Sequence, residues 1–231
     1  AEARQRFYVL DSKGLVAHGL REVKGERALY AQSLEAVSGW TLGSADQISL
    51  LDVMNNAKPT TLIGVSGQAG AFTEAAIRAM ASHCERPIIF PLSNPTSRTE
   101  AIPTDLVEWT DGRALIGTGS PFPPVPWKGE MLPINQTNNS YIFPGVGLAV
   151  LAVNARRVTD TMFMAAGKAL AALSPARHDP KARLLPPVDQ LRAVSIDVAL
   201  ATARQAQLDG VADMCGESEL LPRIMAQVWD P

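Results

Sequence analysis

Short apolar runs, each closing on a small polar residue, recur through the first two-thirds of the chain: RFYVLD (6–11), TLIGVS (61–66), PIIFPLSN (87–94) and ALIGTGS (114–120). Near-continuous hydrophobicity over so few residues predicts strands buried on both faces of a parallel sheet, because a strand with one wet face would alternate. Between them the period becomes helical. Leu50, Val53, Met54 and Ala57 form one stripe at i, i+3, i+4, i+7, ending before Pro59. Ile77, Met80, Ala81 and Cys84 repeat the spacing behind Thr73 as N-cap and Glu74 in the first turn. SRTE (97–100) reads as a capping box, with Pro103 soon after. Strands alternating with helices predict an α/β fold with right-handed crossovers and a doubly wound, mostly parallel sheet, its core spanning residues 6–150.

Residues 151–231 read as a helical C-terminal extension. TDTMFMAAGKALAAL (159–173) carries Thr159 or Asp160 as N-cap and a stripe through Met162, Ala165, Ala166 and Ala169. RHDPKARLLPP (177–187) is a Pro-rich link, and QLRAVSIDVALATARQAQLDG (190–210) is a second helix stopped by Gly210. The apolar pattern still runs at Trp229, which suggests truncation there or a fraying helix end.

In a doubly wound sheet, ligands bind outside the carboxyl ends of the strands. Those ends carry Asp11; Ser66, Gly67 and Gln68; Ser93 and Asn94; and Thr118, Gly119 and Ser120. Four consecutive polar strand ends predict a cleft, although a strand ending in Asp is also ordinary turn chemistry. Asn138 and Asn139 stand at the mouth of the apolar run YIFPGVGLAV (141–150), read as a buried helix with Pro144 near its start and Gly145 and Gly147 permitting close packing. Buried amides need partners for up to about four hydrogen-bonding sites each; backbone or a ligand must supply them. No G-x-G-x-x-G fingerprint precedes residue 11, and GQAGAF (67–72) follows a later strand without that spacing. The chain is therefore expected to enter a Rossmann-type fold at its second strand, without the first βα unit.

Composition narrows the partners. With 21 basic against 23 acidic residues and a net charge of −2, nucleic acid and membrane surfaces are poor candidates. No apolar run reaches the roughly 18 residues of a membrane span, and no signal-peptide pattern opens the chain, so a cytoplasmic protein is expected. Cys84 and Cys215 lack CxxC spacing and His18, His83 and His178 are scattered, which argues against a disulfide framework or a His/Cys metal site.

The stretches LIGVSGQAGAFTEAAIRAM (62–80), RPIIFPLSNPTSRTEA (86–101), DGRALIGTGSPFPPV (111–125) and NNSYIFPGVGLAV (138–150) together resemble the C-terminal, NAD-binding part of malic enzymes. LLDVMNNAKPTTLIGVSGQ (50–68) is especially like the bacterial NAD-linked branch, and the likeness spans residues 6 to 205. The resemblance implies oxidative decarboxylation of (S)-malate to pyruvate and CO2 with reduction of NAD, NADP remaining open, and a Mg or Mn ion in the full-length enzyme. It implies that Asp11, Ser66, Gly67, Gln68, Asn94 and Asn138 face the cofactor, and that Asn94, Asn138 and Asn139 face malate. An acid in the position of Asp11 accepts hydrogen bonds from ribose hydroxyls; the other reading is a turn or N-cap Asp. For Asn94 the other reading is an Asx turn before Pro95, and the two can coexist. Lys13, Arg21, Lys24 and Arg27 follow Asp11 closely, which is why NADP stays open.

In such enzymes a tyrosine and a lysine do the acid/base work and Glu and Asp residues hold the metal, all upstream of this part. The chain is accordingly read as an NAD-binding fragment with no catalytic residue and no metal ligand, inactive alone, from a homo-oligomer. Tyr8, Tyr30 and Tyr141 read as packing residues. Malolactic enzymes share most of the pattern, but TGSPF (118–122) is more like malic enzyme; a non-catalytic dinucleotide-binding module is the remaining alternative.

Overall fold

The computed structural model describes residues 2–44, 47–179 and 182–229. They fall into two compact units, Ala1–Gly119 with Val125–Leu132, and Ser120–Pro124 with Pro133–Pro231.

The first unit opens differently from the sequence expectation. Residues 6–11 do not form a strand of the parallel sheet. A 3-10 turn (Glu2–Arg6) leads into β1 (Leu10–Asp11), which pairs antiparallel with β2 (Gly14–Leu15). Asp11 is the cause: its Oδ1 accepts the Lys13 N–H at 2.9 Å, and Gly14 completes the reversal at φ +85°. A side chain at Gly14 would also meet the Ile48 carbonyl oxygen at 2.5 Å. Leu15, Val37, Ile48 and Val53 form a small core against which Tyr8, Leu10 and Trp40 pack. The short helix α1 (Leu34–Val37) contributes Val37 to it.

Next come α2 (Leu50–Ala57), β3 (Thr61–Gly64), α3 (Glu74–His83), β4 (Ile88–Pro91), α4 (Pro103–Trp109) and β5 (Leu115–Thr118). β4 lies between parallel neighbours β3 and β5, with Gly64 opposite Pro91 and Ile89 opposite Ile116. The predicted stripes hold: Val53 and Met54 are buried on α2, and Ile77, Met80 and Ala81 on α3. Thr73 caps α3, accepting the Ala76 N–H. A capping box does exist, but on α2: Ser49 accepts from Asp52 N–H at 3.2 Å and Asp52 from Ser49 N–H at 2.8 Å. SRTE forms none. Thr96–Arg98 is a 3-10 turn, and α4 starts from Ile102 with Pro103 in its first turn and no side-chain cap. β3 also departs from two-sided burial: Leu62 and Gly64 are buried, while Ile63 is 55% exposed and Val65, just past the strand, 78%. The unit closes with the antiparallel pair β6 (Val125–Trp127) and β7 (Glu130–Leu132).

Among the described residues, the second unit holds the short strand β8 (Asn135–Gln136) and the α-helices α5 (Phe143–Ala152), α6 (Asp160–Ala172), α7 (Leu191–Leu208) and α8 (Glu217–Met225). Thr159 caps α6, and Gly210 ends the turn after α7 at φ +66°. Met162, Ala199, Ala203, Leu220 and Ile224 share one core with Ala149 and Ala152. Gly145 is required by packing: a Cβ there would lie 2.6 Å from Val198 Cγ1. Gly147 faces open space, so its expected packing role is not seen. The predicted link 177–187 falls partly outside the described residues, at positions 180 and 181, as do positions 230 and 231 beyond Trp229.

All three tyrosines pack. Tyr8 lies against Trp40, with ring centroids 5.7 Å apart, and Tyr30 meets Phe7 edge-on at 5.4 Å. Tyr141 is buried, and its hydroxyl donates to the Pro186 carbonyl at 2.6 Å. Burial pushes its phenol above the ordinary value. Tyr141→Phe is expected to destabilise the chain by about 1–2 kcal/mol, because the Pro186 carbonyl loses its donor; urea unfolding of the two proteins checks this.

Candidate functional site at the strand ends

β3 and β4 run in register, so their carboxyl ends are neighbours, and the Leu92 N–H extends the ladder to Gly64 O at 2.9 Å. The end of β5 joins them: Gly119 N–H donates to Pro91 O at 3.2 Å, and its Cα lies so near Leu92 that a Cβ would stand 2.1 Å from the carbonyl oxygen. Ser66, Gln68 and Asn94 are exposed along this rim. Gly67 and Gly70 adopt φ +65° and +71°, and nothing stands within 4 Å of a Cβ at either. Such left-handed positions favour glycine, and here they leave open space above the turn. The Asn94–Pro95 bond is cis, and Asn94 Nδ2 lies 3.5 Å from Leu92 O.

Beneath the rim sits a residue that sequence reading misplaced. Glu100 is fully buried. Its Oε1 accepts from Ser66 N–H at 2.8 Å, Ser66 Oγ at 2.9 Å and Ser93 Oγ at 2.5 Å, while Oε2 accepts from Ser93 N–H at 3.3 Å. The hydroxyls pass the connection on: Ser93 Oγ accepts Gly67 N–H at 2.9 Å, and Ser66 Oγ accepts Gln68 N–H at 3.2 Å. Burial works to raise the Glu100 pKa, but the donors from Ser93 and Ser66 outweigh it and hold the carboxyl below its ordinary value. The one hint in the sequence was Gly64, since a glycine inside a strand marks a close approach. A Cβ there would lie 2.6 Å from Glu100 Cδ.

Glycine richness alone suggests an anion cradle, and the hydrogen bonds argue otherwise. Besides the N–H groups of Ser66, Gly67 and Gln68, that of Gly70 goes to Thr99 O, that of Ala71 to Gln68 O and that of Phe72 to Glu100 O. A phosphate-binding nest needs such groups free. This turn therefore offers a ligand its side chains and its open glycine surface.

Asp11 lies apart from the parallel strands, on the β1–β2 ribbon. Its carboxylate is gripped by Arg21 at 2.7 Å on Oδ1 and by Arg27 at 2.9 Å on Oδ2. Partial burial raises its pKa, while Arg21, the Lys13 N–H and Arg27 lower it further, so the net direction is down. Asn138 and Asn139 belong to the second unit. Asn138 Oδ1 caps the 3-10 turn Asn139–Tyr141 by accepting Ser140 N–H at 3.0 Å, whereas Asn139 is exposed. Among the described residues no group of three or more His, Cys, Asp or Glu is placed to hold a metal ion. Asp52 and Glu100 are saturated by protein donors instead. The described residues do not fit a divalent cation.

A family model described as "Malic enzyme, NAD binding domain" matches residues 1–207. The chain belongs to this family. It is 51% identical to the NAD-dependent malic enzyme of Acinetobacter baylyi over 232 residues, covering 100% of this chain and 41% of that protein. It is also 51% identical to the NAD-dependent malic enzyme of Edwardsiella ictaluri over 230 residues, covering 100% of this chain and 40% of the relative. The chain thus spans about two-fifths of the length of these malic enzymes. Among solved structures, Entamoeba histolytica malic enzyme aligns with a TM-score of 0.73 at 24% identity, over 95% of this chain and 41% of that one, a likeness of fold. Malic enzyme from Pyrococcus horikoshii Ot3 aligns with a TM-score of 0.58 at 26% identity, over 77% of this chain and 36% of that one. These malic enzymes share the parallel α/β architecture. No helix among the described residues is long and apolar enough to cross a membrane.

Proposed function

We propose that this malic enzyme NAD-binding domain serves the oxidative decarboxylation of (S)-malate to pyruvate and CO2, with NAD as the electron acceptor. The observation that carries the reading is the strand-end rim, where Ser66, Gln68 and Asn94 stand exposed beside the open surface of Gly67 and Gly70, in a chain matched by the NAD-binding family. Bound NAD supplies the hydride acceptor at its nicotinamide ring. The protein's part is to bind and orient. Asn94 suits the nicotinamide side because its amide both donates and accepts without adding charge. Asp11 retains acceptor capacity after engaging both arginines, since a carboxylate offers about four lone-pair sites, and we assign it to the ribose hydroxyls. Arg21 and Arg27 offset its charge, so the preference for NAD over NADP rests on the likeness to NAD-dependent malic enzymes. Asn139, exposed, and Asn138, whose Oδ1 caps the 3-10 turn, are our candidates for the malate carboxylate and the nicotinamide ribose.

The acid/base groups and metal ligands are assigned to other parts of the protein, so the purified 231-residue chain is expected to produce no NADH from malate. We further place the enzyme in the cytoplasm as a homo-oligomer; the exposed Phe163 and Met164 on α6 support an apolar contact surface. Calorimetric titration of NAD into the chain tests the core of this reading. Saturable binding weakened about tenfold by Asn94→Ala is expected, the loss of one to two polar contacts. Affinity unchanged by Asn94→Ala, or no binding at all, defeats it.

A further inference from the structure

The buried carboxylate under the rim has no place in the assignments above. Burying a charge is costly unless donors saturate it, and two separate segments of backbone supply those donors here. One is the turn after β3, through the N–H and hydroxyl of Ser66; the other is the end of β4, through the N–H and hydroxyl of Ser93. Each serine hydroxyl spends its proton on Glu100, which orients its lone pairs toward the next N–H. For Ser93 that N–H is Gly67, across the strand boundary; for Ser66 it is Gln68. Glu100 is also anchored through its own carbonyl, which accepts Phe72 N–H at 3.0 Å at the far end of the same turn. Nothing flexible intervenes: Gly64 abuts the carboxylate from the strand side.

We infer that Glu100 is a positioning residue for the dinucleotide. It locks the Ser66–Gln68 turn to the Ser93–Asn94 strand end, so that Gln68, Asn94 and the bare backbone of Gly67 meet the cofactor in one fixed arrangement. A missing acceptor at 100 frees both serine hydroxyls to rotate, and a neutral amide holds them less tightly while turning its NH2 toward the Ser93 N–H; the Gly67 and Gln68 N–H groups then lose firmly oriented partners. The rim then pays an ordering cost on binding that the native protein has already met. The inference rests on the proposed NAD reading and adds to it a residue that never touches the cofactor.

The test compares NAD and ADP binding by wild type, Glu100→Gln and Ser93→Ala, together with amide hydrogen exchange at Ser66 and Gly67. Glu100→Gln keeps the side-chain shape and removes half of the acceptor capacity; Ser93→Ala keeps the carboxylate and breaks the relay, so it carries the comparison if the first variant folds poorly. Both variants are expected to weaken NAD by about tenfold while leaving ADP within about twofold, because ADP lacks the nicotinamide half. Exchange at Ser66 and Gly67 is expected to quicken in both. A purely structural role would weaken NAD and ADP together, and that result overturns the inference, as does unchanged NAD affinity in both variants. Failure of wild type to bind NAD instead brings down the functional reading, and this inference with it.

Discussion

Gly119→Ala is expected to be among the most damaging single substitutions in the chain, costing about 3 kcal/mol. The new methyl would lie 2.1 Å from the Leu92 carbonyl oxygen and 2.7 Å from its carbon. A side-chain tip at that distance would swing aside; a backbone carbonyl held in a sheet cannot. Leu92 is fixed by its N–H bond to Gly64 O at 2.9 Å, and Gly119 by its own bond to Pro91 O at 3.2 Å. Relief therefore requires the ends of β4 and β5 to part. The same methyl reaches 3.0 Å from Asn94 Nδ2, so the rim moves with the strands. Urea unfolding is expected to show a lower midpoint with an unchanged slope. Equal midpoints would mean that the strand ends are far softer than their hydrogen bonds imply.

The second large effect concerns Glu100. Glu100→Ala is expected to cost about 3 kcal/mol, because the Ser66 and Ser93 N–H groups and two hydroxyls lose their acceptor and those of Ser93 are buried. Truncation also leaves a cavity. The same carboxylate makes stability depend on pH, with a definite sign. Its folded pKa lies below the ordinary 4.5, so the unfolded chain binds its proton first as acid is added. Its contribution is full above that ordinary value and is lost as pH falls through it toward the lowered folded value. Asp11 and Asp52 are lowered as well, so the whole chain loses stability in acid. The diagnostic comparison is a pair of unfolding midpoints, one near neutrality and one at about pH 3.5, for wild type and Glu100→Gln. Wild type is expected to lose more between them. Parallel losses would show that Glu100 titrates normally in the folded protein.

Sequence periodicity captured what depends on burial alone. The stripes on α2 and α3 and the three parallel strands are repeated local choices that tertiary packing only has to accept. Chain reversal at Asp11 was open only as the second reading, because RFYVLD has a strand's composition, and the turn that ends it depends on an Asx bond and one left-handed glycine. The capping boxes were exchanged for a similar reason. SRTE has the right letters, but its glutamate finds better donors in Ser66 and Ser93, both distant in sequence; the true box at Ser49–Asp52 uses a shorter acid. The candidate rim was legible at Ser66, Gln68 and Asn94, where polar residues close apolar strands. Glu100 was not, since a buried charge is recognised by the partners that saturate it, and those are revealed only by the fold.

One feature of β3 governs how the purified chain behaves in the tube. Ile63 on the strand and Val65 just past its end present branched hydrocarbon to water, and a net charge of −2 supplies little mutual repulsion between molecules. Crowded solutions of the chain will turn turbid before comparably sized proteins with better-covered sheets, and mildly alkaline buffers, which deepen the negative charge, will keep them clear longer.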